Sequence, residues 1–303
     1  MLLSISMRLA LATCAKYPEL DVDDQALRTA IARRGWTADI LVWNQPADWS
    51  AYDAVVIRSV WDYWQHYRLF LDWLTQLESA GVALFNPAQV LRWNSHKSYL
   101  RQLEGEGIQL PPTLWIEPAL SADPAAHFAL TRDVPDRWGD EWVLKPALSG
   151  GANLTFRVTR AQASRHDPAL REILDRGTAM LQPFLPQILT EGEVSFLFYG
   201  DQFSHAVRKR GPADEFRVQG TYGGSVEIYD AGIEDIAAAL RALQAGHRCA
   251  ECDSPWLYAR VDMLWVASKW LLMELEVSEP NLFFLQDISA VDRFLRVLEA
   301  SLK

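Results

Sequence analysis

Long apolar runs are missing from this chain. Half of its residues are hydrophobic, yet the longest apolar stretches are strand-length, too short to cross a bilayer. No membrane association is expected. The start, Met1 to Ala12, lacks the charged opening, long apolar core and small-residue cleavage site of a secretory leader. Cysteine is scarce. Three cysteines in 303 residues make no disulfide framework, and a reducing, cytoplasmic compartment is the expectation. Cys249 and Cys252, with His247 before them, have no second ligand pair at zinc spacing. Net positive charge is absent too. A balance of −10 argues against a nucleic-acid binder, whose surface is ordinarily basic, and leaves room only for a local basic site. The motifs G-x-G-x-x-G, G-x-x-x-x-G-K-[ST], H-E-x-x-H and G-x-S-x-G do not occur. That disfavours dinucleotide oxidoreductases, P-loop NTPases, zincins and α/β-hydrolases.

What is present is a globular composition, long enough for a large core and two or three subdomains. Thirteen tryptophans stand out; core and interface packing explains most, and a ligand shelf is the alternative for some. The most telling segment is a pair of acidic strands. Tyr258–Val266 carries Arg260 and Asp262, and Trp270–Val277 carries Glu274 and Glu276. Ala267-Ser268-Lys269 between them is the length of a hairpin loop. Charges two residues apart leave one face of a pleat, so three carboxylates and a guanidinium should stand side by side on an apolar sheet. Such carboxylates need a cation, and hard oxygen ligands suit Mg²⁺ or Mn²⁺ shared with phosphates. A solvated face of ordinary ion pairs is the alternative.

The first third alternates strands and helices, with strands at Leu9–Cys14, Asp39–Trp43, Ala54–Ile57 and Ala83–Phe85. Its helices are Asp23–Arg34, capped near Asp21 to Asp24, and Tyr67–Ala80. This βαβ pattern predicts an open parallel sheet, with ligands beyond the carboxyl ends of its strands. Arg58 and Asp62 there are candidates to hold a zwitterionic substrate, or else form an ion pair that fixes a loop. A helix is expected over Ser95–Gly105, carrying Lys97. Trp142–Pro146 delivers Lys145 into the small-residue loop Ser149-Gly150-Gly151, suitable for a phosphate chain or simply a hairpin tip. The stretch Gln182-Pro183-Phe184-Leu185-Pro186 reads as a rigid hinge. Strands at Phe196–Tyr199 and Gln202–Lys209, a helix at Ile233–Ala245 and a tail helix at Asp287–Leu302 complete the pass.

A helix lysine, a strand lysine with a small-residue loop, a Gln-Pro hinge, Gly-Glu-x-Ser, a strand lysine, Arg-x-Asp, Glu-x-Glu and Glu-Pro-Asn follow in that order. This series resembles the ATP-grasp superfamily of ligases over roughly Ser95 to Leu285. Thr13-Cys14-Ala15, Leu20-Asp21-x-Asp23-Asp24 and Arg58-Ser59-x-Trp61-Asp62-Tyr63 are similar to one branch, which holds glutathione-synthetase-like enzymes and the cyclo-ligase that makes cycloserine from O-ureido-serine. The resemblance implies an α/β enzyme of ATP-grasp architecture. An N-terminal open parallel βαβ substrate domain (1–94) would precede two α+β subdomains (95–182 and 183–303) that sandwich the nucleotide. It implies a ligase using ATP and Mg²⁺ (or Mn²⁺), acting on a small amino-acid-like substrate and releasing ADP and phosphate. The alternatives are a ligase adding an amino acid to a peptide or protein, and a non-catalytic ATP-binding protein.

Lys97 and Lys145, with the Ser149-Gly150-Gly151 loop, would contact phosphates. Gln182, Pro183, Phe184 and Leu185 would receive adenine, and Glu191 or Glu193 the ribose. Asp262, Glu274 and Glu276 correspond to metal ligands, the last commonly Asn in relatives. Arg260, Lys209 and Arg217 would stabilise the transferring phosphoryl group; Arg58, Ser59, Asp62, Tyr63 and Asn281 would meet the substrate. Related enzymes often self-associate, and apolar strand edges would allow a homodimer.

Overall fold

The computed structural model describes residues 6–118, 134–213, 215–252 and 256–302. The leader reading of Met1 to Ala12 therefore falls partly outside the described residues. The chain opens with β1 (Arg8–Thr13), α1 (Gln25–Arg33), β2 (Thr37–Val42), β3 (Ala54–Ile57), α2 (Tyr67–Ser79) and β4 (Ala83–Phe85). All pairings among these strands are parallel, in the order β2-β1-β3-β4. The central strands β1 and β3 are apolar on both faces because both faces are covered. Ala10, Ala12, Val55 and Ile57 pack against Trp43, Phe70, Trp73 and Leu77 on one side. Leu9, Leu11 and Val56 join Leu27 and Ile31 of α1 on the other. In α2 the buried residues Phe70, Trp73, Leu74 and Leu77 have helical spacing. Tryptophan is mainly a core residue here: Trp43, Trp73, Trp142 and Trp256 are all buried.

Two helices follow, α3 (Ala88–Asn94) and α4 (Tyr99–Gly105). The single helix expected over Ser95–Gly105 is corrected: it starts at Tyr99, and Lys97 sits in the turn between α3 and α4. Side chains break the helix there. Ser95 Oγ donates to Arg92 O at 2.9 Å, and Ser98 N donates to His96 Nδ1 at 3.2 Å, local bonds that compete with a helical ladder. Asn94 locks the turn, donating to Leu275 O at 2.7 Å and accepting from Val277 N at 3.0 Å. The α1 expectation is corrected similarly. The helix begins at Gln25, and Asp24 caps nothing because its carboxylate is bonded to Arg58.

A second sheet, ordered β5-β8-β6-β7 and antiparallel, holds β5 (Leu114–Ile116), β6 (Glu141–Pro146), β7 (Phe156–Thr159) and β8 (Ala179–Pro183), with α5 (Asp167–Arg176) against it. The third contains β9 (Glu193–Tyr199), β10 (Gln202–Arg210), β11 (Ser225–Ile228), β12 (Ala259–Val266) and β13 (Lys269–Glu276). A short α6 (Gln187–Thr190) precedes it, while α7 (Ile233–Cys249) and α8 (Ala290–Ser301) accompany it. Its order is β11-β10-β9-β12-β13, antiparallel throughout. Ala239, Ala242 and Leu243 of α7 pack on Val261, Met263, Leu272 and Leu275. Phe294, Leu295 and Leu298 of α8 meet Leu197, Tyr199 and Val207 in a cluster that also includes Leu27 and Ile31 of α1.

Asn86 ties the first sheet to the third. Its buried amide donates to Tyr258 O at 2.9 Å and Val277 O at 2.7 Å, and accepts from Leu257 N at 2.6 Å. Asn86→Ala leaves three buried backbone groups unpaired and is expected to destabilise the fold by about 2–3 kcal/mol. Thermal unfolding checks this; an unchanged Tm would mean that other groups satisfy them.

Candidate active site

Strands β12 and β13 place their charges in register. Arg260 stands opposite Glu276 and Asp262 opposite Glu274, and a bulge follows between Asp262 and Met263. The hairpin closes through Ala267 and Ser268, both with positive φ. Ser195 of β9 pairs with Asp262, and Lys209 of β10 pairs with Glu193. Strand alternation puts all these side chains on the face away from α7.

The contacts there form a chain of five charged residues and one separate ion pair. The Arg260 guanidinium meets Asp262 at 2.9 Å and also pairs with Glu276. Lys209 lies 3.1 Å from Asp262 and 2.6 Å from Glu193. Ser195 Oγ donates to Asp262 at 2.6 Å. Lys97 reaches in from its turn to Glu274 at 2.7 Å. Burial raises the Asp262 carboxyl, but Arg260 and Lys209 outweigh it and hold the group well below the usual range. Glu274 is likewise held down by Lys97 against its burial. Glu276 goes the other way. Burial, helped by Glu274 and Asp262, pushes it up to about 7 despite Arg260.

Lys145 closes the site from the second sheet, at the end of β6. Burial lowers its ammonium, with Glu274, Lys97 and Glu193 as its charged neighbours. Among the described residues its ammonium makes no hydrogen bond or ion pair. Ser149 is buried, and its carbonyl accepts from Lys97 at 3.4 Å. Gly150 rests against the N-terminal domain: a Cβ there would lie 3.0 Å from the Trp64 ring. Gly151 has φ +59, which a glycine adopts freely. At the hinge, Gln182 Nε2 donates to Thr113 Oγ1 at 2.9 Å, and Phe184 N is taken by Glu141 O at 2.8 Å. Pro183 ends β8, Leu185 O accepts from Ile188 N, and Arg157 stacks 3.9 Å over the Phe184 ring.

Of the two ribose candidates, only Glu193 shares the charged face. Glu191 lines a half-open cavity of about 250 Å³ with Val194, Arg208, Tyr229 and Trp270, on the α7 side of the sheet. The difference comes from Gly192. Its φ is +74, and a Cβ there would sit 2.6 Å from Lys209 O, so only glycine lets β9 start flush against β10. Arg217 is also apart: it pairs with Glu215 at 2.7 Å and stacks on Tyr222 at 3.8 Å.

The substrate candidates of the N-terminal domain are mostly engaged. Arg58, 1% exposed, pairs with Asp24 at 2.9 Å and donates to Pro280 O at 3.0 Å. Ser59 Oγ donates to Asp24 at 3.1 Å. The ion-pair alternative at Arg58 is thus the arrangement seen, with Asp24, not Asp62, as the partner. Asp62 accepts from Trp43 Nε1 at 2.7 Å, and Tyr63 OH donates to Ser95 O at 3.2 Å, bracing the turn that carries Lys97. Asn281 Oδ1 accepts from Phe283 N at 2.8 Å, and its carbonyl takes an Arg260 N–H at 3.4 Å.

Sequence reading gave no site role to the side chains of Asp23, Asp24 and Glu279, although all three stood in its motifs. Asp23 accepts from Leu285 N at 2.9 Å, and burial pushes it up to about 6. The Glu279 carbonyl accepts from Trp61 Nε1 at 2.8 Å, and burial and Glu276 push its carboxyl up to about 8.

Residues 9–86 match the family model for the N-terminal domain of D-cycloserine synthetase DcsG. The whole chain is 29% identical to the cycloserine biosynthesis protein DcsG of Streptomyces lavendulae, over 97% of this chain and 99% of the relative. The crystal structure of D-cycloserine synthetase DcsG superposes with TM-score 0.87 at 26% identity, covering 98% of this chain and 100% of that one. The chain has the fold of ATP-grasp ligases, and its end-to-end similarity to a synthetase marks it as an enzyme. D-alanine–D-alanine ligase from Bacillus anthracis shares the fold, with TM-score 0.69 at 15% identity over 98% of this chain and 97% of that one. An ATP-grasp enzyme uses ATP, and the α/β architecture with one parallel and two antiparallel sheets is as expected. Among the described residues, no helix is long and apolar enough to cross a membrane.

Among the described residues, no three His, Cys, Asp or Glu side chains converge into a metal cage; the carboxylates are paired with Lys97, Lys209 and Arg260. Their hard oxygens nonetheless fit Mg²⁺, which takes one or two carboxylates and fills the rest of its shell with water and phosphate oxygens. Glu274 and Glu276 keep 29% and 25% of their side-chain surface exposed for that.

Proposed function

We propose that this enzyme uses Mg-ATP to activate a carboxylate or ureido oxygen of a small amino-acid-like substrate and couples the activated group to an amine, an intramolecular cyclisation included. The observation that carries it is the pairing of Arg260–Glu276 and Asp262–Glu274 beside Lys97 and Lys209, in a chain similar to DcsG from end to end. In this reading residues 1–94 bind substrate, and 95–182 and 183–303 close on the nucleotide.

The substrate oxygen attacks the γ-phosphorus, ADP leaves, and an amine then attacks the activated carbon and releases phosphate. The enzyme's task is positioning and charge neutralisation. Lys97 and Lys145 meet the phosphates, the Ser149-Gly150-Gly151 loop lies over them, and Glu193 accepts from the ribose. The hinge residues Gln182 to Leu185 flank adenine. Arg260 and Lys209 face the transferring group, where preorganised charge counts most. Asp262, Glu274 and Glu276 would hold Mg²⁺ (or Mn²⁺), which supplies further neutralisation of phosphate oxygens. Arg58 and Ser59 shape the substrate site through Asp24 and Pro280. Arg217, anchored to Glu215, reaches the γ-phosphate only if its loop rearranges.

The test is ADP and phosphate release from Mg-ATP across D- and L-amino acids, dipeptides and O-ureido-serine. Stimulation by one compound names the substrate class. Stimulation by dipeptides alone favours a peptide-modifying ligase. Binding of ATP with no stimulated release would mark a nucleotide binder, and failure to bind Mg-ATP would sink the reading.

A further inference from the structure

We infer that the Glu279 carboxylate receives the ammonium group of the substrate, at the seam between the N-terminal sheet and the charged face of the third sheet. The inference rests on the ligase reading and adds to it a substrate class, acids that carry a free amine, and a residue that selects for it.

The argument begins with pairing. Asp262 has Arg260 at 2.9 Å and Lys209 at 3.1 Å, Glu193 has Lys209 at 2.6 Å, Glu274 has Lys97 at 2.7 Å, and Glu276 has Arg260. Glu279, among the described residues, has no side-chain hydrogen bond or ion pair. Its surroundings penalise a lone negative charge: burial comes first, then the field of Glu276, with Glu274 adding to it. A carboxyl so placed either keeps a proton or receives a cation.

Its position decides which cation. The backbone is pinned to the substrate-domain side, since the Glu279 carbonyl accepts from Trp61 Nε1 and the next carbonyl, of Pro280, accepts from Arg58. Tyr258 OH donates to the preceding carbonyl, of Ser278, at 2.9 Å, so three successive backbone groups hold Glu279 at that junction. It lies beyond the end of β13, outside the Asp262–Glu274 and Arg260–Glu276 pairs.

An opposite imbalance exists on the nucleotide side, where the half-buried Lys145 side chain has no partner among the described residues. A ligand anionic at its reacting end and cationic at the other restores both. Phosphates and the activated carboxylate belong toward Lys145, and the ammonium toward Glu279. An amine held by a carboxylate stays protonated. The group at Glu279 is therefore recognised without being the nucleophile.

The test is calorimetric titration of the full chain loaded with Mg²⁺ and non-hydrolysable AMPPNP. The probes are O-ureido-D-serine, D-alanine and L-alanine, and their comparison compounds, in which a hydroxyl replaces the ammonium, are 3-O-ureido-D-glycerate, D-lactate and L-lactate. At least one amino acid should bind, with its hydroxy counterpart at least about tenfold weaker. Glu279→Gln should erase that preference while the AMPPNP Kd changes by less than about twofold, and Glu279→Asp should restore part of it. Wild-type binding of none of the amino acids overturns the assignment. So does a Glu279→Gln variant that weakens AMPPNP, amino acid and hydroxy acid alike, which would place Glu279 with the metal ligands or in the fold. The wild-type comparison needs no substitution and stands even if a variant folds poorly. Amino-acid binding without ADP release, once ATP replaces AMPPNP, overturns the ligase reading and leaves the ammonium site in place.

Discussion

Glu274→Gln is expected to lower substrate-stimulated ADP release by about 10²–10³-fold, the usual cost of removing one preorganised charge contact from a transition state. The substitution keeps the shape of the side chain and removes a charge that faces Asp262 across the strand pair and holds Lys97 at 2.7 Å. Lys97 then loses the partner that, against its burial, raises its ammonium, and the metal loses one of its carboxylates. The fold should survive. Glu274 is 29% exposed, and partly exposed pairs contribute about 1 kcal/mol or less. The expected pattern is a collapse in kcat/KM with Tm almost unchanged. Activity within about threefold of wild type would remove Glu274 from the machinery. A large fall in Tm would show the residue holding the sheet together.

The charged face was legible because β12 and β13 alternate strictly from Arg260 to Asp262 and from Glu274 to Glu276, and a period of two fixes the side a residue takes. The parallel domain was legible for the same kind of reason: Leu9–Ala12 and Ala54–Ile57 read as doubly covered strands. Parity gave no answer at the start of β9, where Glu191 and Glu193 differ only through the turn at Gly192. Lys97 was found by its place in the series, but its helix was not, since Ser95 and His96 divert the backbone through their own side chains. Asp24 and Glu279 stood in motifs that gave no sign of their partners. Asp24 meets a residue 34 positions away, and the Glu279 backbone meets one 218 positions away, in segments without periodicity. Pairings of that kind are decided by tertiary folding, which one-dimensional patterning does not encode.

Arg58→Met is expected to destabilise the enzyme by about 3–5 kcal/mol, as breaking a buried pair from one side does, and to lower Tm by roughly 5–15 °C. Arg58 and Asp24 are 1% and 2% exposed. Without the guanidinium, Asp24 keeps the Ser59 hydroxyl at 3.1 Å, and Pro280 O loses its donor. Burial already raises the Asp24 carboxyl, and Arg58 is the main force against that rise. In the variant the carboxyl would therefore rise further. A folded-state acid raised above its unfolded value of about 3.9 costs stability as pH climbs past that value, so the gap between variant and wild type should widen from pH 4 to pH 7. The double variant Arg58→Met/Asp24→Leu should recover much of the loss, because an apolar pair avoids the desolvation of two charges. Recovery of Tm without recovery of amino-acid-stimulated ADP release would make the pair a positioning device, fixing the 278–281 segment and with it Glu279. Recovery of both would reduce it to packing. If Arg58→Met keeps its Tm and loses only amino-acid binding, the guanidinium contacts substrate directly, and the ion pair with Asp24 must open when substrate enters.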